Sequence, residues 1–290
     1  LMSKVGYYPG CSLEATARDY AESLEAVAGL LGVELVEVPD WNCCGASAGH
    51  SLDHRAALNL GARNLALAAA GPQPVVVPCA LCFNRLKSAQ HELARDDSWL
   101  TPEVASLGDW RGAQVVELNQ FLTSSAILAQ VEPVVQRRLT GLKPVVYYGC
   151  QGQRPPAVTG HPQAENPTGI DRLLALLGAE VIDWPHKTDC CGASHAVSRP
   201  DLVAHLVGNL YLRALERGAN CIVTGCQMCQ ANLDLYQAEI ARGLGREVSL
   251  PVFYFSELLG LALGHPQAGR WLDRHLTSPR PLLATAGLAI

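Results

Sequence analysis

Asn42-Cys43-Cys44-Gly45-Ala46-Ser47 recurs in the second half of the chain as Asp189-Cys190-Cys191-Gly192-Ala193-Ser194, with five of six letters matching. Two adjacent cysteines before a glycine are rare, so a second copy indicates duplication rather than chance. Each copy has one cysteine upstream and a Cys-x-x-Cys motif downstream. Ten of the eleven cysteines thereby fall into two sets of five. The sets are Cys11, Cys43, Cys44, Cys79 and Cys82, and Cys150, Cys190, Cys191, Cys226 and Cys229.

The two halves also match outside the cysteines. Leu30-Leu31-Gly32-Val33-Glu34 corresponds to Leu176-Leu177-Gly178-Ala179-Glu180, and a Tyr-Tyr pair precedes the first cysteine of each set. The copies lie near 147 residues apart in the middle of the repeat. Solenoid repeats are roughly 20–50 residues long, so this spacing predicts a duplicated domain instead.

Short apolar stretches alternate with helical patterns in both halves. The predicted strands are 4–8, 33–38, 75–77 and 115–118, and then 144–148, 179–184, 221–224 and 252–254. This alternation predicts an α/β fold of two pseudo-symmetric tandem βα-repeat domains with parallel sheets. The cysteine loops would follow the carboxyl ends of the strands, which is where open α/β sheets hold their ligands.

The length of 290 residues suits two cores, because single cores tend to split beyond about 250–300 residues. We place the first domain at residues 1–128, a linker at 129–143 and the second domain at 144–264. Residues 265–290 form a C-terminal arm, which we interpret as a packed arm or a contact with another chain.

The composition of the chain excludes several classes of function. Hydrophobic residues make up 49% and charged residues 17% of the chain, which is typical of a globular protein. A net charge of -5 argues against nucleic acid as the main partner. We see no signal peptide and no apolar run near the ~18 residues of a membrane span, and therefore expect a cytoplasmic protein without a transmembrane segment. Cysteines in that compartment indicate metal binding or catalysis rather than disulfides.

Five cysteines in each set favour a polynuclear iron–sulfur centre over zinc. Structural zinc takes four ligands in a tetrahedron, and adjacent cysteines do not easily both reach one small ion. An ordinary cubane also takes four thiolates, so five suggest a non-standard cluster. Zinc in one set, or structural disulfides, remain the alternatives.

The complete pattern resembles the CCG (cysteine-rich) domain, and two tandem copies resemble the B subunit of heterodisulfide reductase. The resemblance covers residues 4 to about 263. It implies two non-cubane [4Fe-4S] clusters, one bound by each five-cysteine set given above. It also implies an oxidoreductase subunit that cleaves or forms a disulfide, or a bond to carrier-bound sulfur, between the two clusters. Its implied partners within the complex are a ferredoxin-like protein and a flavoprotein, and its implied substrate is a thiol, a disulfide or a sulfur carrier.

Two other functions are compatible with the pattern. One is an electron-transfer or quinone-docking CCG subunit of a complex that oxidises succinate, glycolate or lactate. The other is a non-enzymatic scaffold stabilised by zinc. No flavin or nicotinamide fingerprint and no cubane-type cysteine run is present, so electrons must come from or go to partner proteins.

Several single residues are also candidates for a function. His195 follows the second double cysteine and is our candidate proton donor to a leaving thiolate, against the simpler interpretation as a surface residue. His50 and His161 are weaker candidates. We interpret Cys221, the eleventh cysteine, as a core residue. We interpret Tyr7, Tyr8, Tyr147 and Tyr148 as strand packing rather than hydrogen-bond donors.

Overall fold

A computed structural model describes residues 3–46, 48–245 and 249–290, which leaves Ser47 of the first motif outside the described part. It confirms the mixed α/β fold with parallel sheets. The first sheet has the order β2-β1-β3-β4 and the second the order β5-β6-β7. The strands are β1 Ser3–Tyr7, β2 Val33–Glu37, β3 Val75–Val77, β4 Val115–Glu117, β5 Pro144–Tyr147, β6 Cys221–Thr224 and β7 Val252–Tyr254.

Parallel pairing aligns the carboxyl ends of neighbouring strands. In the first sheet, Tyr7 of β1 pairs with Glu37 of β2 and Val76 of β3. The central strand β3 reads Val-Val-Val and is buried at all three positions, as expected for a strand covered on both faces. In the second sheet β6 is the buried centre, with Tyr147 of β5 paired to Thr224.

The predicted strand 179–184 is not part of the second sheet. The segment still runs beside β5, where the Glu180 N–H donates to the Leu142 carbonyl and the Ile182 N–H to the Pro144 carbonyl. Pro144 has no N–H with which to donate in return, so a regular ladder cannot continue there. In the first half the corresponding strands, β1 and β2, pair over five residues.

Helices follow the strands near the predicted positions, with two breaks. The helical segment between the first two strands is interrupted after Ala15, and the one that follows the strand 221–224 is interrupted at Tyr236. The helices are α1 Cys11–Ala15, α2 Arg18–Leu30, α3 Gly49–Leu52, α4 His54–Ala69, α5 Ala80–Leu93, α6 Pro102–Ala105, α7 Leu118–Leu122, α8 Ser125–Val131, α9 Pro156–Thr159, α10 Gly169–Leu176, α11 Pro200–Glu216, α12 Gln227–Leu235, α13 Gln237–Leu244, α14 Phe255–Ala262, α15 Ala268–Leu272 and α16 Arg280–Thr285.

The chain forms two compact units, each built around one sheet. The first unit contains residues 1–16, 28–122 and 151–164, and the second contains residues 17–27, 123–150 and 165–290. Each unit therefore includes a segment from the other half of the sequence. In the described ranges, no helix combines the length and apolar character required to cross a membrane.

Glu117 at the end of β4 is a buried carboxyl group of the first unit, and it makes the stability of that unit depend on pH. Burial raises its pKa from 4.5 to about 7, and the hydrogen bond from Asn119 Nδ2, at 3.2 Å, counteracts this only in part. The folded state therefore keeps a proton that the unfolded chain releases. This stabilisation is complete below about pH 4.5, and we expect about 3 kcal/mol of it to be lost as the pH rises to about 7.

Urea unfolding between pH 4.5 and 8 measures this effect as the difference between the wild type and a Glu117→Gln variant. Gln has nearly the same shape and no ionisable group. The wild type should lose more stability than the variant through that pH window. Equal slopes for the two proteins would contradict the assignment of the proton to Glu117.

Candidate functional site

The first unit brings all five cysteines of the first set to one edge of its sheet. Cys11 begins α1 directly beyond β1, and Cys43 and Cys44 lie in the loop after β2. Cys79 caps the N-terminus of α5 beyond β3, and Cys82 lies in the first turn of that helix. Because β2, β1 and β3 are neighbours, their carboxyl ends present these loops side by side.

The second unit repeats this arrangement with one change. Cys150 follows β5, and Cys226 caps α12 beyond β6, with Cys229 in the first turn of the helix. Cys190 and Cys191 come from the loop after the irregular segment 179–184 rather than after a strand. The second double cysteine is therefore not preceded by a β-strand, unlike the first.

The sulfur atoms approach one another closely in both sets, and all of these cysteines are free thiols. The Sγ–Sγ distances are 3.9 Å for Cys11–Cys43, 3.3 Å for Cys44–Cys82 and 3.8 Å for Cys191–Cys229. Two thiolates on one tetrahedral metal atom, at about 2.3 Å each, lie about 3.8 Å apart. The pairs therefore have the spacing of ligands that share a metal atom, which both iron and zinc satisfy.

Backbone and side-chain groups favour thiolates in the second set. Cys190 Sγ accepts a hydrogen bond from the Gly192 N–H at 3.3 Å. The hydrogen bond from Cys150 lowers the pKa of Cys190 to about 6, with smaller contributions from the Gly192 N–H and the charge of His195. Asn232 Nδ2 also lies 3.8 Å from Cys191 Sγ. A thiolate is the form that binds metal, so this environment prepares Cys190 to bind a metal, whereas the same hydrogen bond raises the pKa of Cys150.

Two tyrosines fix the loops that carry the double cysteines. The Tyr8 hydroxyl donates to the Asn42 carbonyl at 2.7 Å, and the Tyr147 hydroxyl donates to the Asp189 carbonyl at 2.6 Å. Both carbonyls belong to the residue just before a double cysteine. Our interpretation of these two tyrosines as packing residues was therefore wrong. Each lies three residues before the first cysteine of its set, a shared position that could have revealed the role.

The matching of the two Tyr-Tyr pairs also needs correction. Counting back from the first cysteine, Tyr8 corresponds to Tyr147, whereas Tyr148 corresponds to Pro9. Tyr148 has a different contact, because its hydroxyl donates to Asp171 Oδ2 at 2.6 Å. The two neighbouring tyrosines of the second set thus hold different parts of the surrounding structure.

Different side chains support the two cysteine loops. In the first set, the Asn64 side chain both accepts from the Asn42 N–H and donates to the Asn42 carbonyl, at 2.9 Å each. In the second set, the buried Lys187 ammonium contacts Asp171 Oδ1 at 2.8 Å. The Lys187 carbonyl accepts the N–H groups of Tyr148 and Gly149, directly before Cys150. Comparison of the two repeats in the sequence does not reveal these supporting side chains, because they differ between the halves.

Arg85 provides a test of whether an anionic group fits the first set. Its Nε is buried without a hydrogen-bond partner. The hydrogen bond from Cys82 is the main factor that lowers the pKa of Cys44, and the positive charge of Arg85 also contributes. A cationic side chain with a buried, unpartnered Nε in electrostatic reach of Cys44 matches the negative charge of a thiolate-bound metal cluster. The residues present therefore fit an iron–sulfur group.

One glycine beside each set leaves space for a neighbouring cysteine sulfur. A substitution at Gly149 tests whether that space is needed. A Cβ on Gly10 would lie 2.9 Å from Cys82 Sγ, and one on Gly149 would lie 2.9 Å from Cys229 Sγ.

We expect Gly149→Ala to displace the Cys229 sulfur and lower the iron content of the purified protein. Gly218→Ala is a matched control, because Gly218 also has a positive φ but no atom within 4 Å of the added Cβ. Equal iron content in the two variants would contradict the steric explanation.

The thiols differ in their exposure. Cys11, Cys43 and Cys190 are exposed and Cys150 is half-buried, whereas the other six members of the two sets are buried. Each set therefore has a buried inner side and an outer side that a molecule from solution can reach.

The remaining candidates lie around or away from the cysteines. His195 is exposed in a short helical turn, within electrostatic reach of Cys190. His50 is exposed in α3. His161 is half-buried, and its Nδ1 accepts from the Gln163 N–H. Cys221 is completely buried in β6, as a core residue should be.

Comparison with known proteins is consistent with this duplicated arrangement. The 8-methylmenaquinol:fumarate reductase membrane anchor subunit of Wolinella succinogenes is 32% identical over 92% of this chain and 94% of its own. The B subunit of the ferredoxin/F(420)H(2)-dependent CoB-CoM heterodisulfide reductase of Methanosarcina acetivorans is 26% identical over 91% and 90%. Lactate utilization protein A of Oceanobacillus iheyensis is 21% identical over 79% and 88%.

A solved structure shares the fold. The crystal structure of a hypothetical protein from Helicobacter pylori superimposes with a TM-score of 0.73 over 96% of this chain at 11% identity. This chain spans about half of that one, 53% of its length, so the likeness concerns the fold alone.

The cysteine-rich domain called CCG matches this sequence twice, over residues 5–87 and 145–234. These ranges contain all ten cysteines of the two sets. The chain is thus a CCG-domain iron–sulfur subunit. It is related to the B subunit of heterodisulfide reductase, to the anchor subunit of a fumarate reductase and to lactate utilization proteins. It belongs to the CCG cysteine-rich domain family, with two copies of the domain in tandem.

Proposed function

We propose that the chain is the iron–sulfur catalytic subunit of a heterodisulfide reductase-like complex that cleaves or forms a disulfide, or a bond to carrier-bound sulfur. The observation that carries this proposal is that both cysteine sets are complete and that each exposes thiols on its outer side. A pure electron relay needs only one buried cluster. Two accessible sets suit a substrate whose two sulfur atoms both need to be stabilised.

In this proposal each set holds one non-cubane [4Fe-4S] cluster, with zinc in one set as the alternative. When bound, such a cluster transfers one electron at a time, whereas cleavage of a disulfide consumes two electrons and two protons and yields two thiols. The chain itself orients the ligands through Tyr8 and Tyr147, which hold the carbonyls before the double cysteines. A ferredoxin-like partner and a flavoprotein partner of the complex would exchange the electrons.

His195 is the proposed proton donor. It is exposed beside Cys190, so it can both reach a bound substrate and regain its proton from water. The corresponding residue of the first copy is Ala48, so this proton would serve one half of the reaction. We expect His195→Gln to lower the rate about 10²-fold near neutral pH, while the iron content stays unchanged.

A single preparation tests the core of the proposal. The protein is purified without oxygen, its iron, sulfide and zinc are counted, and EPR spectra are recorded with and without a thiol substrate. About eight irons and a signal altered by the thiol would support the proposal. About one zinc per chain with no iron would refute it.

The 32% identity along nearly the whole fumarate reductase anchor subunit favours a second candidate, an electron-transfer or quinone-docking subunit. In that role the clusters would exchange electrons with a quinone and no sulfur–sulfur bond would be cut. Mixing the reduced protein with a quinone analogue or with a small disulfide separates the two. Fast reoxidation by the quinone alone would favour the second candidate.

A further inference from the structure

A cluster of three buried ionisable side chains lies in the second unit, apart from the cysteines. Asp19 comes from α2, Glu257 from α14 and His275 from the C-terminal arm. Their exposed fractions are 8%, 0% and 9%. Each can offer one donor atom within 4.8 Å of the other two. Three segments of the chain thus bring ionisable groups to one buried point. Burial of these groups is unfavourable unless their charges are compensated.

The three side chains contact one another and the neighbouring backbone. His275 Nε2 lies 2.8 Å from Glu257 Oε1, and the other carboxylate oxygen, Oε2, accepts the Tyr254 N–H at 2.9 Å. Asp19 Oδ1 accepts the Tyr20 N–H at 3.0 Å. The second ring nitrogen of His275, Nδ1, is buried without a hydrogen-bond partner. Because Nε2 faces Glu257, Nδ1 points to the other side of the ring, and Nε2 is the nitrogen that would face an ion held with the two carboxylates.

The local charge also favours a cation. Two carboxylates face one imidazole, and a third carboxylate, Asp234, lies close enough to act on His275 while accepting the N–H groups of Leu276 and Thr277. Arg274, a cation in electrostatic reach of Asp19 and Glu257, pairs with Glu22. Burial, followed by the charge of Glu257, raises the pKa of Asp19 to about 6. Negative charge is therefore in excess within the cluster.

We propose that Asp19, Glu257 and His275 bind a divalent cation, for which Zn²⁺ is the best chemical match. One imidazole nitrogen and two carboxylate oxygens are ordinary zinc ligands, with bonds of about 2.0–2.2 Å. Ligands in a tetrahedron at this distance lie about 3.3 Å apart, so the 2.8 Å contact between His275 and Glu257 would open slightly and the other pairs of donors would close by no more than about 1.5 Å. A water molecule would complete the fourth position. The ion would join the C-terminal arm to α14 and to the segment 17–27.

This site is independent of the proposed function, since none of its ligands belongs to a cysteine set. The protein as purified, with its clusters, is incubated with Zn²⁺ and dialysed against buffer without chelator. Zinc is then counted, and X-ray absorption at the zinc edge identifies the ligand atoms. We expect about one zinc per chain, bound by nitrogen and oxygen without sulfur.

Variants locate the ion. His275→Ala and Glu257→Gln should each weaken zinc binding at least about 10-fold without changing the iron content. His205→Ala, an exposed histidine of α11, is the matched control and should bind as the wild type does. Loss of zinc from the wild type on dialysis, or sulfur among its ligands, would overturn the proposal. Unchanged binding in a folded Glu257→Gln variant would overturn it as well. The wild-type measurement decides even if a variant fails to fold.

Discussion

Replacing Cys44 with alanine should remove about half of the iron and leave the other half in place, because each set of five cysteines would hold its own cluster. Cys44 is 2% exposed and its Sγ lies 3.3 Å from Cys82 Sγ, so no solvent ligand can easily replace it. Cys191→Ala should have the same effect on the second set, since Cys191 is 3% exposed and 3.8 Å from Cys229. Iron and sulfide per chain measure the loss, and the double variant should contain almost no iron.

Cys221→Ala is the matched control for both variants. Cys221 is as buried as Cys44 and Cys191, but it lies within β6 and pairs with Pro144 of β5 instead of facing other thiols. This control should retain all of the iron. Full iron content in Cys44→Ala, or loss of iron in Cys221→Ala, would show that the two five-cysteine sets are assigned incorrectly.

The sequence carried enough information to predict the parallel sheets and the grouping of the cysteines. The reason is physical: Cys11, Cys79, Cys150 and Cys226 each follow a short apolar strand, and parallel strands present such positions at one edge. Val-Val-Val at 75–77 and Cys-Ile-Val-Thr at 221–224 are strands with the predicted bounds, since both are fully buried runs. A duplicated motif also doubles the information available for each copy.

Other features of the structure depend on tertiary contacts that the sequence pattern does not reveal. The segment 179–184 has the apolar character of a strand, but Pro144 beside it cannot return a hydrogen bond. The hydroxyl contacts of Tyr8 and Tyr147 depend on the loop geometry of Asn42 and Asp189, more than thirty residues away. Periodicity also cannot show that residues 17–27 and 151–164 fold with the unit of the other half. Such exchanges depend on which surfaces remain to be covered after each sheet has formed.

Asp171→Asn should destabilise the second unit by about 3–5 kcal/mol and lower its iron content. The Lys187 side chain is 4% exposed, and its Nζ lies 2.8 Å from Asp171 Oδ1. Removal of the Asp171 charge leaves the buried Lys187 ammonium with the exposed Asp183, at 3.5 Å, as a weaker partner, so most of its charge compensation is lost. Lys187 also holds the backbone before Cys150 through its carbonyl, so a displaced lysine should disturb that ligand. Urea unfolding and iron per chain measure the two effects.

A double variant separates the energetic cost of an unpaired charge from the loss of local shape. Lys187→Met combined with Asp171→Asn removes both charges and keeps the side-chain oxygen that accepts the Tyr148 hydroxyl, so it should regain most of the stability lost in Asp171→Asn. Asp201→Asn, which breaks an exposed pair with Arg199, should leave the melting temperature and the iron content unchanged. If Asp171→Asn were as stable as this surface control, the buried pair would not be what holds the second cysteine loop. If the double variant regained stability but not iron, the pair would be needed to position Cys150 and not merely to fold the unit.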